Sequence, residues 1–232
     1  MYPQLFGVPT LKMYDLIGVL GYVLIAVFFL CSKQRRDFFS GGKGGVWVPL
    51  AVHGIAYTFG GVKLGGFIGR GTEFFGYVAF SALAMVLAAV VAESHPLRWL
   101  DRTAPLYAAL AAVLKLSCFC GGCCYGYPWA NGLYNQFTKQ QEVPIQLVEV
   151  GLYGALLLVL LRYRGRTGQR FALFLAGYAA VRFAVQFFRA DVAVFTPFHW
   201  MSAAFVGVGV LLWVVCALVP TTDVSRETRR RS

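Results

Sequence analysis

Seven stretches of this 232-residue chain are apolar over close to the length that a helix needs to cross a bilayer, about 20 residues rising 1.5 Å each. They fall at about 14–31, 46–62, 72–92, 103–119, 145–161, 171–188 and 198–219. With 58% hydrophobic and only 13% charged residues, and a mean hydropathy of +0.63, the chain has too little polar surface to cover a soluble core. The expected fold is an all-α integral membrane protein of seven transmembrane helices, one membrane domain over 1–220 with a basic tail at 221–232. In "FGGVKLGGFIGRGTEFFGY" glycines and charges interrupt the second and third runs, so a broken or partly re-entrant stretch belongs there. The start, "MYPQLFGVPTLKMYDLIGVL", lacks a cationic leader and a small-residue cleavage site, so the first run reads as a retained helix.

Charge sets the expected orientation. The net charge of +11 is dispersed in short clusters between apolar runs, which excludes a nucleic-acid partner and favours anionic lipid headgroups. Fourteen basic residues sit in one alternate set of loops: Lys33, Arg35, Arg36 and Lys43; Arg98 and Arg102; Arg162, Arg164, Arg166 and Arg170; and the tail. Lys12, Lys63, Arg70 and Lys139 fall on the opposite side. By the positive-inside rule the N terminus is outside and the C terminus cytoplasmic.

Against this apolar background, polar residues at helical spacing stand out. The sixth run carries Tyr178, Arg182, Gln186 and Arg189 at spacings that stack them on one helical face. An arginine near mid-membrane costs about 2.5–3.5 kcal/mol, so it normally faces a cavity and has a task, against the simpler readings of a structural ion pair or a snorkelling side chain. Arg182 lies about 10 Å below the outer end of its helix, which biases the site towards the outer leaflet. The fifth run opens outside with "VPIQLVEVGLYG", where Pro144 suits a first helical turn and Gln146, Glu149 and Tyr153 share a face. Glu149 needs a cation, and an arginine of the sixth run is the natural partner. The first run brings Tyr14 and Asp15 to the same side, and the fourth ends there with Lys115 and Ser117. Two arginines can grip a phosphate through forked hydrogen bonds, and a phosphodiester headgroup is what the leaflet offers. A small-solute transporter fits less well, since the polar groups trace no path to the cytoplasm.

"CFCGGCCYGYPW" ends the fourth run with Cys118, Cys120, Cys123 and Cys124. Thiolates are soft ligands, yet four packed into seven residues leave little reach for a single-ion cage. Thiol chemistry and small, polarisable packing beside glycines are the other readings. Cys31 and Cys216 read as packing residues. His53, inside the second run, is a candidate proton acceptor, against the simpler role of bonding a neighbouring helix.

These residues together resemble the prolipoprotein diacylglyceryl transferases. "GVPTLKMYDLIGVLGYVL" is similar to the family's Pro-containing entry into a helix opening with a tyrosine, here Tyr14. "VPIQLVEVGLYG" resembles its Pro-Ser-Gln-Leu-Tyr-Glu signature, keeping Pro144, Gln146, Leu147 and Glu149, with Ile145 and Val148 where serine and tyrosine are usual. "GYAAVRFAVQFFRAD" is the closest match, with Tyr178, Arg182 and Arg189. "FHWMSAAF" resembles the Ser-Gln-Trp opening of the last helix, with His199 in the glutamine position. Two departures stand against these matches. Where the family has Gly-Arg-x-Gly-Asn-Phe, this chain has "SCFCGGCCYG", similar to a divergent branch in which Gly126 keeps the turn. The family's His-Gly-Gly falls on "LGGFIGR" or "FFGYVAF", and neither contains histidine.

The resemblance implies a transferase that moves a diacylglyceryl group from phosphatidylglycerol to the lipobox cysteine of a preprolipoprotein, releasing glycerol phosphate. It implies catalytic roles for Arg182, Arg189, Tyr178 and Glu149, and substrate contacts for Tyr14, Gln146 and Gly126; the thiol reading of the loop adds Cys118, Cys123 and Cys124 as substrate contacts. Phosphatidylglycerol, the preprolipoprotein signal peptide and the lipid bilayer are the implied partners, the bacterial inner membrane the implied location, and no cofactor or metal is expected. The alternative is a divergent membrane protein of the same fold with a thiol redox or metal-binding role.

Overall fold

The computed structural model describes residues 13–31, 47–56, 73–91, 95–193 and 195–219. The expected basic tail, 221–232, and the interrupted stretch between the second and third runs lie outside the described residues. Seven helices occupy the described part: α1 (Met13–Cys31), α2 (Trp47–Ile55), α3 (Glu73–Val91), α4 (Pro96–Gly121), α5 (Ile145–Arg162), α6 (Gln169–Gln186) and α7 (Pro197–Leu218). Each falls in one of the apolar runs. Three of them, α4, α5 and α7, are long and apolar enough to cross a membrane by length and composition.

The helices present apolar side chains outwards. Leu158, Val159 and Leu161 on α5 and Val210, Leu211 and Leu218 on α7 are exposed, while Glu149, Arg182, Gln186, His53 and Ser81 are buried. A water-soluble protein has the opposite distribution, so the surface matches a hydrocarbon environment. The chain is mostly helical and has the character of a membrane protein.

α4 is the central helix, packing against α1, α3, α5 and α6, while α7 packs mainly on α6. It starts seven residues earlier than the apolar run, with Pro96 in its first turn, so Arg98 and Arg102 are helical rather than loop residues. Asp101, one turn into α4, explains this extension. Its carboxylate accepts the backbone N–H groups of Gly168 and Phe171 at 2.6 and 2.8 Å, capping the start of α6 from a neighbouring helix.

The architecture is not purely α. Between α4 and α5 the chain forms an antiparallel hairpin, β1 (Pro128–Asn135) and β2 (Gln140–Glu142), where the sequence suggests only a loop. Its anchor is Asn135, fully buried, whose amide donates to the Gly122 carbonyl at 3.0 Å and to Glu142 Oε2 at 2.9 Å. The hairpin is thereby tied to the end of α4.

Below the α4 C terminus the core is largely aromatic. Tyr178 lies at its centre, with ring centroids 5.3 Å from Tyr153 and 5.9 Å from Phe174 in stacked geometry and 4.9 Å from Phe74. Offset stacking of this kind adds about 0.5–1.5 kcal/mol per pair beyond area burial. The same ring stack fixes the register in which α5 and α6 present their polar residues.

Candidate active site at the ends of three helices

The C-terminal end of α4, the N-terminal end of α5 and the C-terminal end of α6 meet around one carboxylate. Glu149 is completely buried; its Oε1 accepts from Arg182 Nη1 at 2.8 Å, and its Oε2 lies 2.8 Å from Lys115 Nζ. Tyr153, one turn along α5, donates to Oε1 at 3.4 Å, and Arg182 Nη2 reaches Gln186 Oε1 at 3.5 Å. A buried carboxylate held by two cations is costly to desolvate and very costly to break, because removing it strands two charges. The pairing expected between Glu149 and an arginine of the sixth run is therefore present, with Lys115 as a second partner on the opposite oxygen.

Arg189 differs from its expected place. α6 ends at Gln186, and Phe187 and Phe188 form a tight turn, with Phe188 N–H donating to the Val185 carbonyl at 2.9 Å. Arg189 thus leaves the helical face that Tyr178, Arg182 and Gln186 share. Its backbone instead pairs with Gly126 in an isolated antiparallel bridge. Its guanidinium makes a two-pronged contact with Asp191, Nε to Oδ1 at 2.9 Å and Nη2 to Oδ2 at 2.7 Å.

That bridge explains Gly126. A Cβ added there would lie 2.7 Å from the Val143 carbonyl oxygen and 3.3 Å from that of Phe188, so no side chain fits between the two strands of backbone. Gly126 N–H donates to Val143, and Ala190 N–H donates to Tyr125 at 3.1 Å. The segment after α4 is zipped to the segment after α6, and Gly126 acts through this backbone packing.

The cysteine loop is pinned from three sides. Gly122 caps α4 in the left-handed conformation, φ 73°, and reverses the chain. Its carbonyl is held by Asn135, and the Cys123 carbonyl accepts from Gln146 Nε2 at 2.7 Å. Cys124 is itself left-handed, φ 59°, a conformation that a residue with a Cβ adopts only where its surroundings impose it. The result is that the sulfurs of Cys118, Cys123 and Cys124 lie within 4.8 Å of one another. Cys120, two positions along the helix and so about 200° around it, is outside this group. Hydrogen bonds from the Cys118 and Cys123 thiols hold Cys124 well below the usual thiol range; burial opposes them, and the charges of Lys115 and Arg189 add to the lowering.

Gln146 has two faces. Its amide nitrogen is committed to Cys123, while its buried carbonyl oxygen has no donor among the described residues. Tyr178 stands one turn before Arg182 but lies within the aromatic core. Tyr14 falls in the first turn of α1, and its side chain lies outside the described residues. His53 is not brought to this site. It is buried among Phe29, Tyr77 and Tyr107, and its Nδ1 meets the Tyr77 hydroxyl at 2.8 Å. Tyr107 lies two turns of α4 from Lys115, about 12 Å away along the axis.

Two residues that the sequence did not single out shape the site: Asp191, which orients Arg189, and Asn135, which anchors the cysteine loop. Asp191 follows Arg189 closely enough for a local ion pair to be suspected; Asn135 gives no such signal, since its partners come from both sides of a hairpin.

Known proteins give the same direction. A family profile described as prolipoprotein diacylglyceryl transferase matches residues 18–215. A phosphatidylglycerol–prolipoprotein diacylglyceryl transferase of Verminephrobacter eiseniae (strain EF01-2) is 28% identical over 249 aligned positions, covering 90% of this chain and 87% of that protein. One of Clostridium tetani (strain Massachusetts / E88) is 25% identical over 217, covering 82% and 86%. With the match running from α1 to α7, the chain belongs to the prolipoprotein diacylglyceryl transferase family.

Proposed function

We propose that the protein is a membrane transferase that moves the diacylglyceryl group of phosphatidylglycerol to the lipobox cysteine thiol of a preprolipoprotein. The observation that carries this reading is the cation cluster: Lys115, Arg182 and Arg189 stand near one another, and among the described residues Glu149 and Asp191 are the carboxylates paired with them. One positive charge in excess, in a largely buried setting, suits an anionic headgroup and the further charge that grows on phosphate as it leaves.

The reaction is a displacement at carbon. The acceptor sulfur bonds to the terminal glyceryl carbon, the carbon–oxygen bond to phosphate breaks, and glycerol phosphate departs with the electron pair. Arg182 and Arg189 stabilise that oxygen through guanidinium N–H groups beyond those already committed to carboxylates. Glu149 and Asp191 hold the two guanidinium planes in position. Tyr178 sets the helix register beneath Arg182, and Gln146 offers its unpaired carbonyl oxygen to the glycerol hydroxyls; the family resemblance adds Tyr14 as a headgroup contact. Seven membrane crossings, an outside N terminus and a location in the bacterial inner membrane complete the proposal; they place the site in the outer leaflet, where a secreted acceptor arrives with its signal peptide.

A second reading has its own observation. The three clustered sulfurs suit a membrane protein of the same fold that binds metal or cycles its thiols without transferring lipid. Supplying the purified chain with labelled phosphatidylglycerol and a lipobox peptide separates the two. Thioether product with wild type, lost in Arg182→Ala, is the expected result; no product with accessible lipid and peptide overturns the transferase reading.

A further inference from the structure

The proposed reaction needs a group that turns the acceptor thiol into a thiolate, and among the described residues the obvious candidates are committed elsewhere. Glu149 is saturated by two cations, and His53 is enclosed among aromatic rings. An unperturbed thiol, with a pKa near 8.5, is mostly protonated at neutral pH. The cysteine loop offers another means of activating a thiol.

We infer that Cys118, Cys123 and Cys124 form a three-thiolate site for a divalent cation of the zinc class, whose fourth position takes the acceptor thiol. This inference rests on the transferase reading. The reach that the sequence denies to a crowded Cys-x-Cys-x-x-Cys-Cys run is supplied by the fold: the Gly122 reversal returns Cys123 and Cys124 to Cys118, leaving Cys120 aside. Sulfurs bound at about 2.3 Å around a tetrahedral ion stand roughly 3.8 Å apart, so a spread within 4.8 Å needs a closure of at most about 1 Å. The loop carbonyls are already fixed by Asn135 and Gln146, which gives the ligands the outer support that metal sites require. Cys123 is exposed, which leaves one side of the triad open to an incoming ligand.

Three protein ligands with one open position is the pattern of a catalytic rather than a structural zinc site. Three thiolates around a divalent ion carry one net negative charge, and the ion-paired Lys115 and Arg189 stand beside it. A thiol that binds such an ion is deprotonated outright. The acceptor S–H gives its proton to water as the sulfur–metal bond forms. The bound sulfur then supplies the electron pair for the new carbon–sulfur bond, and the pair of the broken carbon–oxygen bond leaves with glycerol phosphate. The thioether product, a weaker ligand, departs, and the metal stays divalent throughout.

Cobalt(II) in place of zinc makes the site visible. The reduced, full-length protein is expected to bind one Co2+ with sulfur-to-metal absorption that Zn2+ displaces. Cys118→Ser and Cys123→Ser should abolish that absorption, whereas Cys120→Ser, which folds around the same loop, should keep it. A lipobox peptide should shift the band and its Cys→Ser counterpart should not. Absence of thiolate-bound cobalt, its retention in Cys123→Ser, or a band indifferent to the peptide overturns the metal site; thioether formation by that same metal-free protein leaves the transferase reading standing. A shifted band without thioether product from the zinc-loaded protein keeps the site and overturns the transferase reading.

Discussion

Two buried polar clusters lie along α4, and they are built on opposite principles. Around Tyr107, the hydroxyl meets Ser81 Oγ at 2.9 Å while His53 Nδ1 meets Tyr77 at 2.8 Å, inside a jacket of Phe29, Phe171 and Phe174. Two turns further on, Lys115, Glu149, Arg182, Arg189 and Asp191 form ion pairs beside an exposed cysteine. The first cluster is built from hydroxyls and one imidazole enclosed by aromatic rings, with no ion pair among the described residues. The second is charged, out of balance and open on one side. Burial of polar groups alone therefore does not mark a site; excess charge beside an opening does.

That contrast can be broken by mutation. The largest effect on stability is expected for Glu149→Ala, which strands Lys115 and Arg182 and should cost roughly 3–5 kcal/mol in thermal or denaturant unfolding in detergent. Arg182→Ala and Arg189→Ala should each lower the transfer rate by about 10²–10³, the usual loss when one preorganised donor to a developing anion is removed. If Arg189→Ala alone proves silent, the two-arginine grip on phosphate is wrong. Gly126→Ala should destabilise by about 1–3 kcal/mol through the Val143 contact and loosen the cysteine loop, read as faster hydrogen exchange at 122–126. Tyr77→Phe should cost least, about 1 kcal/mol for one neutral hydrogen bond, with transfer unchanged.

Cys124 sharpens the comparison through pH. A thiol lowered below its ordinary value keeps its thiolate form to lower pH than an ordinary cysteine does. Alkylation of Cys124 in metal-free protein is expected to persist at mildly acidic pH, where Cys216 is unreactive. An ordinary thiol profile at Cys124 would show that the Cys118 and Cys123 thiols do not donate to it.

Helix positions were legible because long apolar runs stand apart from the charged, glycine-rich stretches between them, whatever their neighbours. The ends were not, since polar residues there answer to tertiary partners: Asp101 is helical because it caps α6, and Arg189 leaves α6 because its backbone pairs with Gly126. The Glu149–Arg182 pairing was legible from the expense of an isolated membrane charge. Lys115 as the second cation was not, because helical spacing gives the face of α4 but not its depth against α5. The hairpin stayed hidden because its anchor, Asn135, bonds to residues 13 positions before it and 7 after it. The cysteine triad stayed hidden because a reversal at one left-handed glycine decides which sulfurs meet.

The central claim is that the charged cluster, and not the neutral one, handles the phosphate. Its most direct test is the single-turnover release of glycerol phosphate from labelled phosphatidylglycerol, with a lipobox peptide as acceptor, in vesicles containing folded wild type, Arg182→Ala or His53→Phe. The account predicts a loss of about 100-fold or more for Arg182→Ala and a rate within about threefold of wild type for His53→Phe. Equal losses in the two variants, or a loss confined to His53→Phe, would contradict it.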